Sequence, residues 1–289
     1  MVSRLRLPEA FAGPAKDVLE GRAPVARARD AATVVILRDH PRHGLQVFML
    51  RRVASMAFAP GAYVFPGGSV DPRDGDRTIG WAGPDAAAWG VAFGADDTLA
   101  GQLVCAAVRE TFEESGVLLA GPTPGSVIDD TRGDGWEADR QALIDRTISF
   151  ADFLDRRGLV LRSDLLRPWA HWITPVIEAR RYDTRFFMAA IPPGQRARDV
   201  STESDSVAWL RPAEAVARAR AGELALLPPT LVTLLELTEY ESVAAVLGAE
   251  RDIAPRLPEA AIVDGEVYLV MPDELPFDPV AAYGGTGPR

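Results

Sequence analysis

Apolar runs without a helical period mark the first predicted strands of this chain. Residues 31–37 are almost wholly apolar and rich in β-branched side chains, which is typical of a strand buried on both faces. After a polar turn, residues 45–52 form a second apolar run and predict its partner strand. Residues 63–65 extend the predicted sheet towards Gly67 and Gly68, where we expect a turn.

A helical period follows at residues 104–116. At about 100° per residue, Glu110, Glu113 and Glu114 fall on one face of the predicted helix. The opposite face is apolar and carries Val104, Cys105, Val108 and Phe112. We therefore expect an amphipathic helix whose apolar side faces the core and whose carboxylate side is exposed.

The carboxylate face lacks the cations that usually balance such charge. Like charges one helical turn apart repel each other, and only Arg109 is adjacent. A hard divalent ion such as Mg²⁺ takes oxygen ligands and would balance the charge of the three carboxylates. Asp97 or Thr98 can cap this helix at its N-terminus, and Gly116 can end it.

The rest of the chain predicts alternating strands and helices without internal repeats. Residues 1–30 are rich in Pro, Arg and Ala and predict a loose N-terminal arm. Later strands are expected at residues 117–120, 169–175, 184–192 and 207–210, helices at 84–93, 136–147, 149–158, 212–221 and 230–247, and a hairpin around Asp264-Gly265. We expect one mixed α/β domain over residues 1–289, in which residues 222–289 form a C-terminal extension with extra helices.

The composition of the chain indicates which kinds of partner it binds and in which cellular compartment it lies. The chain has 289 residues, is 47% hydrophobic and carries a net charge of −10, which argues against nucleic-acid binding. The single cysteine, Cys105, cannot form an internal disulfide, which fits a reducing cytosol. No apolar run reaches membrane-spanning length, and residues 1–16 lack the apolar core of a signal peptide. We therefore expect a cytoplasmic protein without a membrane or nucleic-acid partner.

The carboxylate helix and the Gly67-Gly68 segment together resemble the Nudix box. That box reads Gly, five residues, Glu, seven residues, Arg-Glu, an apolar residue, any residue, Glu-Glu, any residue, Gly and an apolar residue. Residues 109–117 match its second half, except that Thr111 stands where an aliphatic residue is usual. The resemblance covers roughly residues 30–240. It implies a Nudix-type α/β/α sandwich with a mixed sheet.

The first half of the box departs from the family pattern. The interval from Gly68 to Arg109 is roughly 27 residues longer than in the box, which places an insertion at about residues 75–100. The first Glu of the box falls on Asp74 by count, or is lost. A split box is a feature of the branch that contains the peroxisomal coenzyme A diphosphatase, and the segments at residues 172–175 and 180–185 also resemble that branch.

The resemblance assigns roles to the matching residues. Glu110, Glu113 and Glu114 become metal ligands for Mg²⁺ or Mn²⁺, and Gly68 is expected to add its carbonyl oxygen. Glu113 and Glu114 are the glutamates that matter most for catalysis in the family. Arg109 is expected to orient these carboxylates by hydrogen bonds rather than to bind substrate.

The general base and the phosphate ligands are less sharply defined by sequence. The base is a glutamate of the box or an acid of a distant loop, for which Glu203 and Asp205 are candidates and Glu203 is preferred. Arg51, Arg52, Arg181 and Arg185 are candidate phosphate-binding residues. A surface ion pair is the alternative role for each arginine.

The insertion carries Trp81, Trp89 and Phe93. These aromatic side chains are expected either to pack on the core or on a second subunit, or to form a lid over the substrate. Packing on a second subunit would make the protein a homodimer.

The resemblance implies a hydrolase that cleaves a diphosphate linkage in a nucleoside diphosphate derivative with a divalent metal. Coenzyme A or an acyl-CoA is the first choice of substrate, giving adenosine 3′,5′-bisphosphate and (acyl-)phosphopantetheine. An ADP-sugar, a dinucleotide or a nucleotide is the alternative small-molecule substrate. A Nudix-fold sensor that binds a nucleotide without hydrolysing it is the alternative from another class.

Overall fold

The computed structural model describes residues 4–7, 9–53, 59–75, 79–200, 204–272 and 275–282. Its helices are α1 (Glu9–Leu19), α2 (Ala86–Phe93), α3 (Asp97–Ser115), α4 (Asp134–Ile144), α5 (Phe150–Arg157), α6 (Pro212–Arg220), α7 (Pro228–Leu237) and α8 (Val243–Leu247). Its strands are β1 (Arg4–Arg6), β2 (Ala28–His40), β3 (Gly44–Arg52), β4 (Ala62–Val64), β5 (Gly67–Ser69), β6 (Trp81–Ala82), β7 (Ala120–Gly121), β8 (Val160–Arg162), β9 (Leu166–Ile173), β10 (Arg181–Ala190), β11 (Ser204–Leu210), β12 (Ala225–Leu226), β13 (Pro255–Arg256), β14 (Glu259–Val263) and β15 (Glu266–Val270).

Strand β2 is the centre of a mixed sheet. The sheet runs β12-β4-β3-β2-β10-β9-β13, and β11 pairs with β3. One edge of β2 pairs antiparallel with β5 near its start and with β3 near its end, while the other edge pairs parallel with β10. Ala32 therefore lies between Gly68 of β5 and Arg185 of β10.

The alternation of side chains along β2 divides the core into two layers. Val34 and Ile36 pack in one cluster with Phe112 of α3, and Val35 and Leu37 pack on the opposite face with residues of α6 and α7. Since both faces of the strand are covered, the apolar run at residues 31–37 needs no polar face. The predicted α/β/α sandwich is confirmed.

Helix α3 has the predicted amphipathic character and a well-defined start and end. Its N-cap is Asp96, whose carboxylate accepts a hydrogen bond from Leu99 N at 2.9 Å, so the expectation of Asp97 or Thr98 was wrong by one position. Gly116 ends the helix with φ 71°, a conformation that glycine adopts without strain.

The insertion packs on the core of the same chain. Trp89 and Phe93 of α2 are 3% and 2% exposed, and both rings contact Phe187 of β10. Trp81 is half-buried and donates its indole N–H to the Pro84 carbonyl. The structure therefore favours the packing alternative for this aromatic group over a lid.

Several local predictions were wrong. Gly67 and Gly68 lie in strand β5 rather than in a turn. The predicted long helix at residues 230–247 is divided into α7 and α8, because Ser242 caps a new helix. The N-terminal arm contains β1 and α1 and reaches into β2 at Ala28, and the predicted strand at residues 117–120 is reduced to β7.

The predicted C-terminal hairpin is present as β14 and β15. Asp264 and Gly265 connect the strands with φ values of 50° and 81°, as a two-residue hairpin turn with two positive φ angles requires. In the described ranges, no single helix is long and apolar enough to cross a membrane, although α2 and α3 pass that test as a pair bent by 95°.

Candidate active site

The three glutamates of α3 line a recess rather than an exposed helix face. Glu113 is only 9% exposed, and the side chain of Glu110 is 14% exposed. The cavity around them has a volume of about 190 Å³. The expectation of an exposed carboxylate face was wrong, because β5, the 3-10 helix at Pro72–Gly75 and the α4–α5 segment cover it.

The cavity wall is mostly charged. In the part of the chain that the structure describes, its carboxylates are Asp71, Asp74, Glu110, Glu113 and Glu114, and its guanidinium groups are Arg73, Arg109 and Arg146. The remaining lining is apolar and comprises Leu143, Ile144, Ile148 and Phe150. With every group ionised, the wall carries more negative than positive charge.

Arg109 lies at the centre of this charge network. Its Nε and Nη2 atoms donate to the two carboxylate oxygens of Asp74 at 2.9 and 3.0 Å. Its Nη1 atom donates to Glu110 at 2.8 Å and to Glu113 at 3.2 Å, and Nη2 also reaches the Ser69 carbonyl. These are the contacts expected of a residue that orients carboxylates.

Asp74 occupies the position that the count along the Nudix box gave to the first glutamate. It lies in the 3-10 helix just before the insertion, is 4% exposed and accepts both hydrogen bonds from Arg109. The shorter side chain therefore reaches Arg109 despite the inserted residues.

The backbone of β5 fixes the other side of the recess. Gly67 N donates to Glu114 Oε2 at 2.9 Å. Glu110 lies so close to Gly68 that a Cβ atom there would be 2.4 Å from Glu110 Oε1. Gly68 is thus needed for the close approach of the strand to Glu110.

Burial changes the acidity of these glutamates. Burial raises the pKa of Glu110, with the charge of Glu113 adding to the effect and Arg109 opposing it. Burial likewise raises the pKa of Glu113, and Arg109 and Arg146 oppose the shift. Concentrating carboxylates in a recess with too little positive charge therefore shifts both glutamates towards their protonated forms.

The ligand chemistry of the recess fits a hard divalent cation, since all its candidate donors are oxygen atoms and its negative charge is only partly balanced. As the side chains stand, no group of three or more His, Cys, Asp or Glu in the described part of the chain is arranged to hold a metal. Glu110 and Glu113 turn towards Arg109, and Glu114 binds Gly67 N.

The described residues that line the cavity include none of the four arginines predicted to bind phosphate. Arg51 pairs with Asp205 at 2.6 Å, and Arg52 lies half-buried on β3 opposite Ser204. Arg181 donates to the Thr174 and Ala26 carbonyls. Arg185 is buried against Asp183, which also accepts a hydrogen bond from His171. Arg181 and Arg185 therefore make structural contacts in this conformation, and phosphate binding by them stays a prediction.

The structure gives different information on the two acids that the sequence offered as general bases, Glu203 and Asp205. Glu203, the predicted general base, lies outside the described residues. Asp205 is engaged with Arg51, whose hydrogen bond lowers the pKa of its carboxyl. Asp205 therefore has the contacts of a surface ion pair.

Sequence reasoning missed Asp71, Arg73 and Arg146 as residues of the site. Asp71 and Arg73 precede the insertion and lie within three residues of Asp74. The count along the box that identified Asp74 could therefore have identified them as well. Arg146 follows α4, and no motif in the sequence places that helix end at the glutamates.

The fold and the recess define a hydrolase of the Nudix type: a mixed sheet between two helical layers, with a glutamate helix held against a glycine strand. The family profile described as the NUDT19 Nudix domain matches residues 94–237. This chain belongs to the Nudix hydrolase family.

Individual relatives agree with this placement. The chain is 28% identical to the acyl-coenzyme A diphosphatase NUDT19 of Gallus gallus, in an alignment that covers 87% of this chain and 80% of the relative. It is 28% identical to the protein of that name from Homo sapiens, with 82% and 74% covered. The crystal structure of a Nudix hydrolase from Alicyclobacillus acidocaldarius superposes with a TM-score of 0.67 at 27% identity, covering 78% of this chain and 98% of that one.

Proposed function

We propose that this Nudix hydrolase cleaves the diphosphate linkage of coenzyme A or an acyl-CoA with Mg²⁺ or Mn²⁺ as cofactor. The products are adenosine 3′,5′-bisphosphate and (acyl-)phosphopantetheine. The observation that carries the proposal is the recess lined by Glu110, Glu113 and Glu114, in which Arg109 is hydrogen-bonded to Glu110 and Glu113. The names of the NUDT19 relatives support coenzyme A as the substrate class.

The residues that would hold the metal are Glu110, Glu113 and Glu114 together with the Gly68 carbonyl. A bound divalent ion supplies neutralisation of the diphosphate charge and a lower pKa for a coordinated water. Arg109 and Gly67 N restrict the orientation of these carboxylates. The side chains of Arg109, Glu110 and Glu113 are largely buried in the recess, and lower exposure to water strengthens electrostatic contacts there.

A substrate screen tests the proposal. The purified protein is assayed with CoA, acyl-CoAs, 3′-dephospho-CoA, NADH, ADP-ribose and diadenosine polyphosphates, each with Mg²⁺, with Mn²⁺ and with chelator. We expect release of adenosine 3′,5′-bisphosphate from CoA or acyl-CoA and no turnover with chelator. A clear preference for ADP-ribose or a dinucleotide would retain the Nudix hydrolase and reject the CoA substrate.

Two glutamine variants test the ligand assignment. Glu113→Gln and Glu114→Gln keep the side-chain size and remove the charge, so each should lower turnover by orders of magnitude at saturating Mg²⁺. Glu113→Gln should also raise the melting temperature without metal, because burial disfavours the Glu113 carboxylate. Near wild-type turnover in either variant would show that its carboxylate is not a ligand.

A further inference from the structure

Among the described residues, three arginines line the glutamate recess, and Arg146 is the most exposed of them. Its side chain is 76% exposed, compared with 40% for Arg73 and 11% for Arg109. Its ion pair with Asp71 spans 4.0 Å between Nε and Oδ2, which is the outer limit of such a contact. Most of its guanidinium surface is therefore available to a ligand in the recess.

The other two guanidinium groups of the recess are occupied. Arg109 donates to two carboxylates of α3, to Asp74 and to a backbone carbonyl. Arg73 holds Asp71 through Nε and Nη2, and its Nη1 atom donates to the carbonyls of Arg146 and Ile148. Neither can bind a ligand without giving up several of these hydrogen bonds.

The backbone of Arg146 is fixed in an unusual conformation. It has φ 57°, a value that non-glycine side chains rarely adopt. The conformation follows the end of α4, where Arg146 N donates to the Leu143 carbonyl at 2.9 Å. Arg73 Nη1 donates to the Arg146 carbonyl at 3.1 Å. These contacts place the Arg146 side chain at the rim of the recess, on the side that faces Asp71.

We propose that Arg146 binds non-bridging phosphate oxygens of the substrate diphosphate. The inference rests on the proposed diphosphatase activity. A diphosphate that enters a wall with excess carboxylate needs protein cations as well as any metal, and a planar guanidinium can donate two hydrogen bonds to one phosphate. Arg146 has this fork exposed, whereas Arg73 and Arg109 use theirs on the protein.

Replacement of Arg146 by asparagine removes the fork and keeps the fold. Asparagine tolerates positive φ better than most residues, so Arg146→Asn avoids new backbone strain. We expect kcat/KM for the preferred diphosphate substrate to fall about 10- to 100-fold, the usual effect of losing a charged hydrogen bond, with KM taking most of the change. Arg146→Lys keeps the charge but not the planar fork, so its kcat/KM should lie between those of the wild type and Arg146→Asn.

Arg211→Asn is the matched control. Arg211 is also an exposed arginine, with a side chain 55% exposed and a weak 3.7 Å pair with Glu214. It is the N-cap residue of α6 and is absent from the described lining of the recess. The Arg211→Asn substitution should leave kcat and KM unchanged. An equal loss of activity in both variants would point to net charge and would overturn the inference.

Binding of methylenediphosphonate, a non-hydrolysable diphosphate, separates this inference from the substrate proposal. Methylenediphosphonate is titrated into each protein in the presence of Mg²⁺, and calorimetry measures its Kd. We expect tight binding to the wild type and to Arg211→Asn, and a Kd about 10- to 100-fold higher for Arg146→Asn. If the enzyme prefers ADP-ribose and Arg146→Asn still loses affinity, the CoA proposal fails and this inference stands. If the wild type and Arg146→Asn bind the probe equally, or if the wild type does not bind it, the inference fails.

Discussion

Asp74 and Arg109 lie 35 positions apart in sequence, and two parallel hydrogen bonds of 2.9 and 3.0 Å join their side chains. The Asp74 side chain is 1% exposed and that of Arg109 is 11% exposed. Asp74 therefore anchors the guanidinium whose remaining nitrogen orients Glu110 and Glu113. The pair connects the two halves of the interrupted motif, since the insertion begins directly after Asp74.

Asp74→Asn should destabilise the protein and reduce its activity. Removing one partner of a buried ion pair typically costs about 3–5 kcal/mol when the other charge is left uncompensated. We expect a loss at or below the lower end of this range, because Glu110 and Glu113 still compensate part of the Arg109 charge. Urea unfolding measures the loss, and kcat at a temperature where the variant is folded measures the effect on the glutamates. Asp74→Glu keeps the charge and should recover most of the activity. A loss of stability below about 0.5 kcal/mol in Asp74→Asn, the range of ordinary surface changes, would contradict this role.

The two glycines of β5 should respond differently to alanine. A Cβ on Gly67 would lie 2.4 Å from the Ala32 carbonyl oxygen and 2.7 Å from Thr33 Cα, so the strand itself would have to move. Gly67→Ala should cost about 3 kcal/mol of stability, at the upper end of overpacking effects. The melting temperature and urea midpoint report this loss.

Gly68→Ala should instead affect catalysis more than stability. The three atoms nearest to its Cβ would all belong to the carboxylate end of Glu110, which is the far end of a flexible side chain. A misplaced catalytic group costs up to about 100-fold in rate, so kcat should fall strongly while the urea midpoint changes little. Equal effects of the two alanine variants on stability and rate would show that the close approach of β5 does not distinguish them.

Asp71 should give the protein a stability that depends on pH. The hydrogen bonds and charge of Arg73, acting against burial, lower the pKa of Asp71 from its ordinary value to about 2. Between pH 4 and pH 2 the unfolded chain therefore binds more protons than the folded one, and stability falls as the pH is lowered through this window. Asp71→Asn should lose about 1–2 kcal/mol at pH 6, after allowance for the partly exposed Arg73, and the difference from the wild type should shrink towards pH 3.

Asp130 offers a matched control for that experiment. Asp130 and Arg132 repeat the Asp-x-Arg hydrogen bonds of Asp71 and Arg73, and the pKa of Asp130 is also lowered to about 2 by its arginine. The Asp130 carboxylate is 45% exposed, whereas that of Asp71 is 12% exposed. Asp130→Asn should therefore change the urea midpoint little at any pH. A pH-independent loss in Asp71→Asn would mean that its effect is steric.

Trp89 and Phe93 should behave as core residues. Trp89→Ala and Phe93→Ala should each cost about 3–5 kcal/mol, because both rings are buried against Phe187. Trp89→Phe should cost much less, since the Trp89 indole N–H has no hydrogen-bond partner among the described residues. KM measured with Trp89→Phe should stay the same for a bulky acyl-CoA and for a small substrate. A selective rise in KM for the bulky substrate would favour the lid.

Local patterns in the sequence determined the parts of this protein that depend on one element at a time. The 3.6-residue period placed three carboxylates on one side of α3 and Phe112 on the other, and Gly116 marked the end of the helix. The apolar run at residues 31–37 predicted a strand covered on both faces, and Asp264-Gly265 predicted a hairpin. These features follow from backbone geometry within a few residues, so no knowledge of the rest of the fold is needed.

The tertiary structure decided which charged groups meet. Periodicity states which side chains share a face, but it does not state which element covers that face. The glutamates were therefore expected on the surface, and the docking of β5 and the α4–α5 segment placed them in a recess. For the same reason Arg181 and Arg185 could be proposed as phosphate ligands from sequence, although backbone carbonyls and Asp183 engage them. Arg146 reaches the recess because α4 ends beside α3. Ion pairs and ligand sites form between side chains that are far apart in sequence, and only the packing of the elements brings them together.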